Sequence, residues 1–247
     1  MYKIIKLKKI DSTNNFAKLL FEYYKLEELD RTVICTQQQT NGRGTGNNKW
    51  ISEPGKNLTF SIIYAPQNLP LDQIFYLSKT ISCGIVDFLQ MLGIKAKIKW
   101  PNDIYVNDKK ICGILIENSI LGHRIHYSII GIGLNVNQTH FPGDLNATSI
   151  KLILNQEIEL SWALEQLLDK IFYWLDTLEQ NKFDQIDQFY LDHLYLLGKK
   201  AAFRRDGHIL DAKIIGVDNF GRLILQTSDT QSYQTFNQKE IELLKPL

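Results

Sequence analysis

The chain reads as an α/β (α+β) protein: a central mixed β-sheet flanked by helices, followed by a small C-terminal β-barrel. Three observations support this. Short alternating or β-branched runs at residues 4–10, 32–36, 58–64, 111–117 and 125–132 have the period and length of strands. Between and after them lie two long segments in helical register, 70–92 and 161–178. Past residue 198 the pattern changes to five short alternating stretches separated by turn residues, which suits a small barrel.

Residues 4–10 alternate apolar with basic side chains, as a half-buried strand does. Asp11-Ser12-Thr13-Asn14 follows, and Phe16, Leu19, Leu20 and Tyr23 recur at helical spacing, so Asp11 or Ser12 is expected to cap a helix. Thr32-Val33-Ile34-Cys35-Thr36 is a buried strand by its β-branched content. In the 70–92 helix, Leu71, Ile74, Leu77, Ile81, Ile85, Phe88 and Leu89 form one apolar stripe. Strands around 95–100 and 104–106 come next, then a turn at Asn107-Asp108-Lys109 and strands 111–117 and 125–132. Thr148 or Ser149 can cap the turn that follows, 183–197 is a last helix, and turns are expected at 205–207, 218–221 and 228–229. This divides the chain into a domain at 1–197 and a small one at 198–247.

Composition narrows the function. The 247 residues carry 28 basic against 27 acidic side chains, a formal charge of +1, which leaves no electrostatic footprint for nucleic acid or a membrane surface. No apolar run approaches the roughly 18 residues of a membrane span, and the N-terminal stretch lacks the apolar core of a signal peptide. Cys35, Cys83 and Cys112 each sit in an apolar run and read as reduced core residues, implying a cytoplasmic setting. The five histidines share no metal spacing, so no protein metal site is expected.

Two stretches look built for an anion. In Lys99-Trp100-Pro101-Asn102-Asp103, Pro101 ends a strand and holds the residues before it extended, so Lys99 is a compact charge with little freedom. In Gly42-Arg43-Gly44-Thr45-Gly46-Asn47-Asn48-Lys49-Trp50, the glycines allow close approach of backbone N–H groups and Arg43 can grip a carboxylate or phosphate bidentately. The spacing is neither that of a P-loop nor that of a Rossmann fingerprint, and a strand follows. Gly131 and Gly133 inside an apolar strand are costly unless something packs on the backbone there. Asn135, just after them, carries the donors and acceptor that suit an adenine edge.

Six motifs in one order carry a resemblance: Asp-Ser-Thr-Asn at 11–14, Gln-Thr-Asn-Gly-Arg-Gly at 39–44, Trp50, Lys-Trp-Pro-Asn-Asp at 99–103, Lys-Ile-Cys-Gly-Ile-Leu at 110–115 and Gly-Ile-Gly-Leu-Asn at 131–135. Together they resemble biotin–protein ligases. The resemblance implies a catalytic domain like that of class II aminoacyl-tRNA synthetases with an SH3-like C-terminal barrel. It implies ATP-dependent activation of biotin to biotinyl-5′-adenylate, then transfer to a lysine of a biotin carboxyl carrier domain, with Mg²⁺ arriving on the phosphates. On this pattern Lys99 and Arg43 are the catalytic cations. Ser12, Thr13, Asn14 and Gln39 surround the ureido ring. Gly44 and Thr45 close over the carboxylate and phosphate, Gly113 and Gly131 floor the apolar tail, and Gly42, Gly46, Lys99 and Asn135 serve the nucleotide.

The chain departs from the pattern twice. Thr45 stands where some members carry a second arginine, implying a leakier adenylate. The Ser-Thr motif begins about ten residues in, leaving no room before it for the helix-turn-helix of repressor-type members, so a monofunctional enzyme without operator binding is expected. A homodimer through an edge strand stays open. The rival readings are a lipoate–protein ligase or octanoyltransferase of the same superfamily, and a non-catalytic biotin-binding module.

Overall fold

The computed structural model describes residues 2–67, 69–143, 145–227 and 232–246. The main sheet has seven strands: β1 (Lys3–Ile10), β2 (Thr32–Gln39), β3 (Leu58–Tyr64), β4 (Lys97–Lys99), β5 (Asp103–Val106), β6 (Lys109–Leu121) and β7 (Arg124–Leu134). Their spatial order is β1-β2-β3-β7-β6-β5-β4, with β1 parallel to β2 and all other neighbours antiparallel. The central strand β3 is buried at every position, which is why its sequence is apolar without clean alternation.

Both faces of the sheet are covered. On one side lie α3 (Phe75–Met91), α5 (Leu160–Glu179) and α6 (Phe183–His193), packed on one another over the main core. On the other, α1 (Thr13–Leu20) and the single turn α2 (Leu26–Leu29) bury Ala17, Leu20 and Leu29 against Ile34, Ile63 and Ile129. A further short helix, α4 (Ile150–Leu154), is capped by Ser149, whose Oγ accepts from the Leu152 N–H at 3.2 Å.

The expected 70–92 helix is shorter, because Leu71–Gln73 forms a separate 3₁₀ turn before α3 begins. The last helix ends at His193, not 197. Leu194 then bridges Ile98 and the Tyr195 N–H donates to the Ile98 carbonyl at 2.8 Å, pulling the chain across the edge strand β4. The β5–β6 turn forms as expected, with Asn107 and Asp108 at φ 47° and 61°.

From Lys200 a second sheet is built by β8 (Lys200–Arg205), β9 (His208–Val217), β10 (Leu223–Thr227), β11 (Tyr233–Phe236) and β12 (Glu242–Pro246). Its order is β11-β10-β9-β8-β12, so the chain's last strand returns to β8. The small C-terminal β unit expected from the alternating pattern is present as this five-stranded sheet, and among the described residues no ladder joins β11 to β12. The expected turn at 228–229 lies outside the described residues.

Candidate active site

A cavity of about 470 Å³ opens over the β6–β7 face of the main sheet and is closed on one side by the second sheet. Its wall includes Ser12, Thr13, Asn14, Gln39, Arg43, Gly44, Thr45, Lys99, Gly113 and Gly131, so the two cationic stretches meet at one space. Phe203, Ile214, Leu223, Ile241 and Leu243 supply apolar surface from the second sheet.

The start of α1 is organised by side chains other than the expected cap. Ser12 occupies the cap position but makes no side-chain capping bond. The Thr13 N–H and Oγ1 both donate to Gln39 Oε1, at 2.9 and 3.1 Å, so the end of β2 caps the helix. Ser61 Oγ, on β3, lies 2.7 Å from Thr13 Oγ1 and 2.5 Å from Asn14 Oδ1. Asn14 Nδ2 donates to Glu117 Oε2 at 2.9 Å. Ser12, Thr13, Asn14 and Ser61 are all at most 3% exposed, and this neutral, hydrogen-bonded wall suits a ligand with carbonyl and N–H groups.

Gly131 makes this wall fit. A Cβ there would stand 2.4 Å from Asn14 Oδ1. Gly133 seats an aromatic ring instead: a Cβ would lie 2.2 Å from Trp50 Cε2, and at Gly113 another would lie 3.2 Å from Trp50 Cζ3. The two strand glycines that look costly in sequence therefore have separate purposes, one for Asn14 and one for Trp50.

The glycine-rich stretch is an ordered hairpin. The Gly44 N–H donates to the Asn48 carbonyl at 2.8 Å, the Trp50 N–H donates to the Gly42 carbonyl at 3.0 Å, and Arg43 bridges Lys49. Thus the Gly44 amide, expected to face an anion, is engaged within the hairpin. Gly42 and Gly46 do not line the cavity: Gly42 leaves room for the Trp50 carbonyl, and Gly46 takes φ 65° at the tip. Asn102 Nδ2 donates to Thr45 Oγ1 at 2.8 Å and to the Ile114 carbonyl at 2.6 Å, tying the hairpin to the Lys-Trp-Pro-Asn-Asp turn.

The arginine is occupied too. Arg43 NH1 and NH2 donate to Glu117 Oε2 and Oε1 at 3.0 and 2.9 Å, and NH1 also reaches Asn15 Oδ1 at 3.0 Å. Lys18 adds a 2.6 Å ion pair to the same carboxylate. Burial alone would raise the Glu117 carboxyl, but hydrogen bonds from Lys18, Asn14 and Arg43 hold it below the usual carboxylate range. The sequence reading missed Glu117; the available signal was a single acid ending the apolar run 111–116.

Lys99 Nζ donates to Tyr105 Oη at 3.1 Å and lies 4.6 Å from that ring's centroid. Trp100, joined to Pro101 by a cis bond, donates its indole N–H to the Gly221 carbonyl at 2.8 Å. Asn135, expected at an adenine, does not line the cavity. It is 3% exposed, and its Nδ2 donates to the Thr148 carbonyl while its backbone pairs with Ile111 and Ile150, so it ties down the chain leading into α4. Among the described residues no cluster of three His, Cys, Asp or Glu side chains could hold a metal, and no helix is long and apolar enough to cross a membrane.

The chain is similar to proteins of known activity. The bifunctional ligase/repressor BirA of Bacillus subtilis is 30% identical over 203 residues, 80% of this chain and 62% of that protein. The biotin–[acetyl-CoA-carboxylase] ligase of Paracoccus denitrificans is 25% identical over 78% of this chain and 83% of its own. The chain thus spans about 62% of the length of the Bacillus relative. The structure superposes on biotin protein ligase from Aquifex aeolicus in complex with biotin and ATP with a TM-score of 0.82, at 24% identity, covering 99% of this chain and 100% of that one. At that identity the likeness establishes the fold. The model of the biotin/lipoate A/B protein ligase family matches residues 7–135, just over half of the sequence and the segment that carries every motif around the cavity, so the chain belongs to that family.

Proposed function

We propose that the chain is a biotin–protein ligase that works in the cytoplasm on a biotin carboxyl carrier domain. One biotin carboxylate oxygen attacks the α-phosphate of ATP; pyrophosphate leaves and biotinyl-5′-adenylate forms. The amine of a carrier lysine then attacks the acyl carbon, an amide forms, and AMP leaves. Attack of one anion on another requires fixed positive charge and no protein nucleophile. Lys99, which donates to Tyr105 and lines the cavity, is the charge this reading assigns to both steps.

The observation that carries this reading is the meeting of Lys99 and the glycine-rich hairpin with the neutral wall of Ser12, Thr13, Asn14 and Gln39 at one cavity. Biotin pairs a neutral ureido ring with an anionic tail, and the cavity offers both environments. Mg²⁺ is part of the proposal as an ion carried by the nucleotide, where it offsets phosphate charge. The lining acids are otherwise engaged, Asp103 with Lys110 at 2.6 Å and Glu242 with Arg204 at 2.9 Å, so phosphate oxygens would be its main ligands.

The thiol chemistry of an octanoyltransferase finds no support at Cys112, which is fully buried and whose thiol is pushed up by burial. The test is incubation with ATP, Mg²⁺ and a carrier domain, with biotin or lipoate in parallel, followed by mass measurement on the carrier. A gain of one biotinyl group is expected. Lipoyl transfer in its place, or biotin binding without pyrophosphate release, would replace the proposal with one of its rivals.

A further inference from the structure

We infer that Glu117 is a positioning residue: it anchors the glycine-rich hairpin through Arg43 and fixes Asn14 from the other side, so that the two halves of the cavity wall are set by one carboxylate. The identity of the ligand rests on the function proposed above; the anchoring itself does not. Each oxygen of Glu117 serves both halves. Oε2 accepts from Arg43 NH1 at 3.0 Å and from Asn14 Nδ2 at 2.9 Å. Oε1 accepts from Arg43 NH2 at 2.9 Å and from Lys18 Nζ at 2.6 Å.

The charge count explains why a carboxylate is used. Lys18 and Arg43 share one anion, so the cluster keeps one unit of positive charge beside the cavity instead of being neutralised. The fork of Arg43 is spent on Glu117, which assigns it to holding the hairpin's base and leaves the direct electrostatic work to Lys99. The hairpin's tip is tied by the neutral bond from Asn102 to Thr45, so of these two polar ties the charged anchor at Arg43 is the stronger. From Asn14 the chain continues to Ser61 and Thr13, so a shift of Glu117 is transmitted to the polar wall without Glu117 touching the ligand.

The test is Glu117→Gln, which keeps size and shape while removing the charge. Hydrogen exchange is measured on residues 42–49 of the ligand-free protein, and biotin and ATP are titrated separately by calorimetry. About tenfold faster exchange in the hairpin is expected, as for loss of one charge-assisted anchor. Biotin affinity should fall by about tenfold, with ATP affinity changed less than about twofold. In an Arg43→Ala background the same substitution should add less than about twofold to hairpin exchange, since its anchor is already gone. Unchanged hairpin exchange, or multiplicative effects in the double variant, would overturn the inference. Exchange that rises equally over the whole main sheet would also overturn it, as that marks general destabilisation. A wild-type protein that binds no biotin refutes the proposed function alone, because the exchange measurement still reads the anchor.

Discussion

Gly131→Ala tests the site at its tightest packing. The added Cβ would stand 2.4, 3.1 and 3.2 Å from Oδ1, Cγ and Nδ2 of Asn14, so the amide must retreat by about 1 Å to restore ordinary contact. It has little room to do so while keeping its partners, since Oδ1 accepts from Ser61 at 2.5 Å and Nδ2 donates to Glu117 at 2.9 Å. A 1 Å shift takes both bonds out of range. One charge-assisted and one neutral hydrogen bond together are worth about 2–4 kcal/mol, so biotin affinity is expected to fall on the order of 10²-fold as Asn14 turns into the cavity. The assay is calorimetric titration with biotin, paired with thermal unfolding. Gly122→Ala is the control: at φ 64° an alanine is strained by about 1–2 kcal/mol, but nothing lies within 4 Å of its Cβ, so it should cost stability and spare binding. If Gly131→Ala binds biotin within about threefold of the wild type, the placement of Asn14 by this glycine is not what shapes the site.

Three other perturbations probe separate groups. Lys99→Ala should slow biotin-dependent pyrophosphate release by on the order of 10²–10³ with the fold intact, the scale of one electrostatic stabiliser; a near-normal rate removes Lys99 from its role. Thr45→Arg exchanges the hydroxyl clasped by Asn102 for a second hairpin cation, and should slow escape of the adenylate in a release assay; no slowing counts against the leaky-loop expectation. Cys112 should resist alkylation in the native protein at pH 8 and react only on unfolding, because it is fully buried and its thiol is raised by desolvation; rapid native labelling would reopen a thiol mechanism.

What could be read from the sequence was what local chemistry dictates. Residues 58–64 are β-branched or aromatic enough to name β3 to its bounds, and Asn107-Asp108 marks the β5–β6 turn, where both residues take positive φ. Gly131 and Gly133 stood out because glycine is unfavourable in a strand, but what fills the space, Asn14 and Trp50, is set by how α1 and the glycine-rich hairpin lie on β7, contacts far apart in sequence. Asn135 could not be placed from sequence, because a side-chain amide suits an adenine edge and a buried backbone carbonyl equally well; the fold shows its Nδ2 donating to the Thr148 carbonyl. Five short alternating stretches were enough to name the second β unit, while the return of its last strand to β8 depends on contacts that local pattern does not encode. Glu117 was silent because a lone acid at a strand end looks solvated until its three partners arrive from α1 and the hairpin.

The placement of Lys99 draws on both sheets. It ends β4, a three-residue edge strand paired on one side with β5, too short to fix a side chain by itself. Its rigidity comes from both flanks. Just past α6, the Tyr195 N–H donates to the Ile98 carbonyl on the strand's free side, and Trp100 donates to the Gly221 carbonyl in the turn between β9 and β10. Gly221 is in turn pressed on α3, where a Cβ would meet Phe75 at 2.4 Å. The same apolar core that holds α3 and α5 continues through Ala201, Phe203, Ile214 and Leu225 of the second sheet. The change of pattern at residue 198 therefore marks a boundary of strand pairing and not of packing, and the charge that the proposed chemistry depends on is aimed by a segment whose sequence carries no catalytic motif.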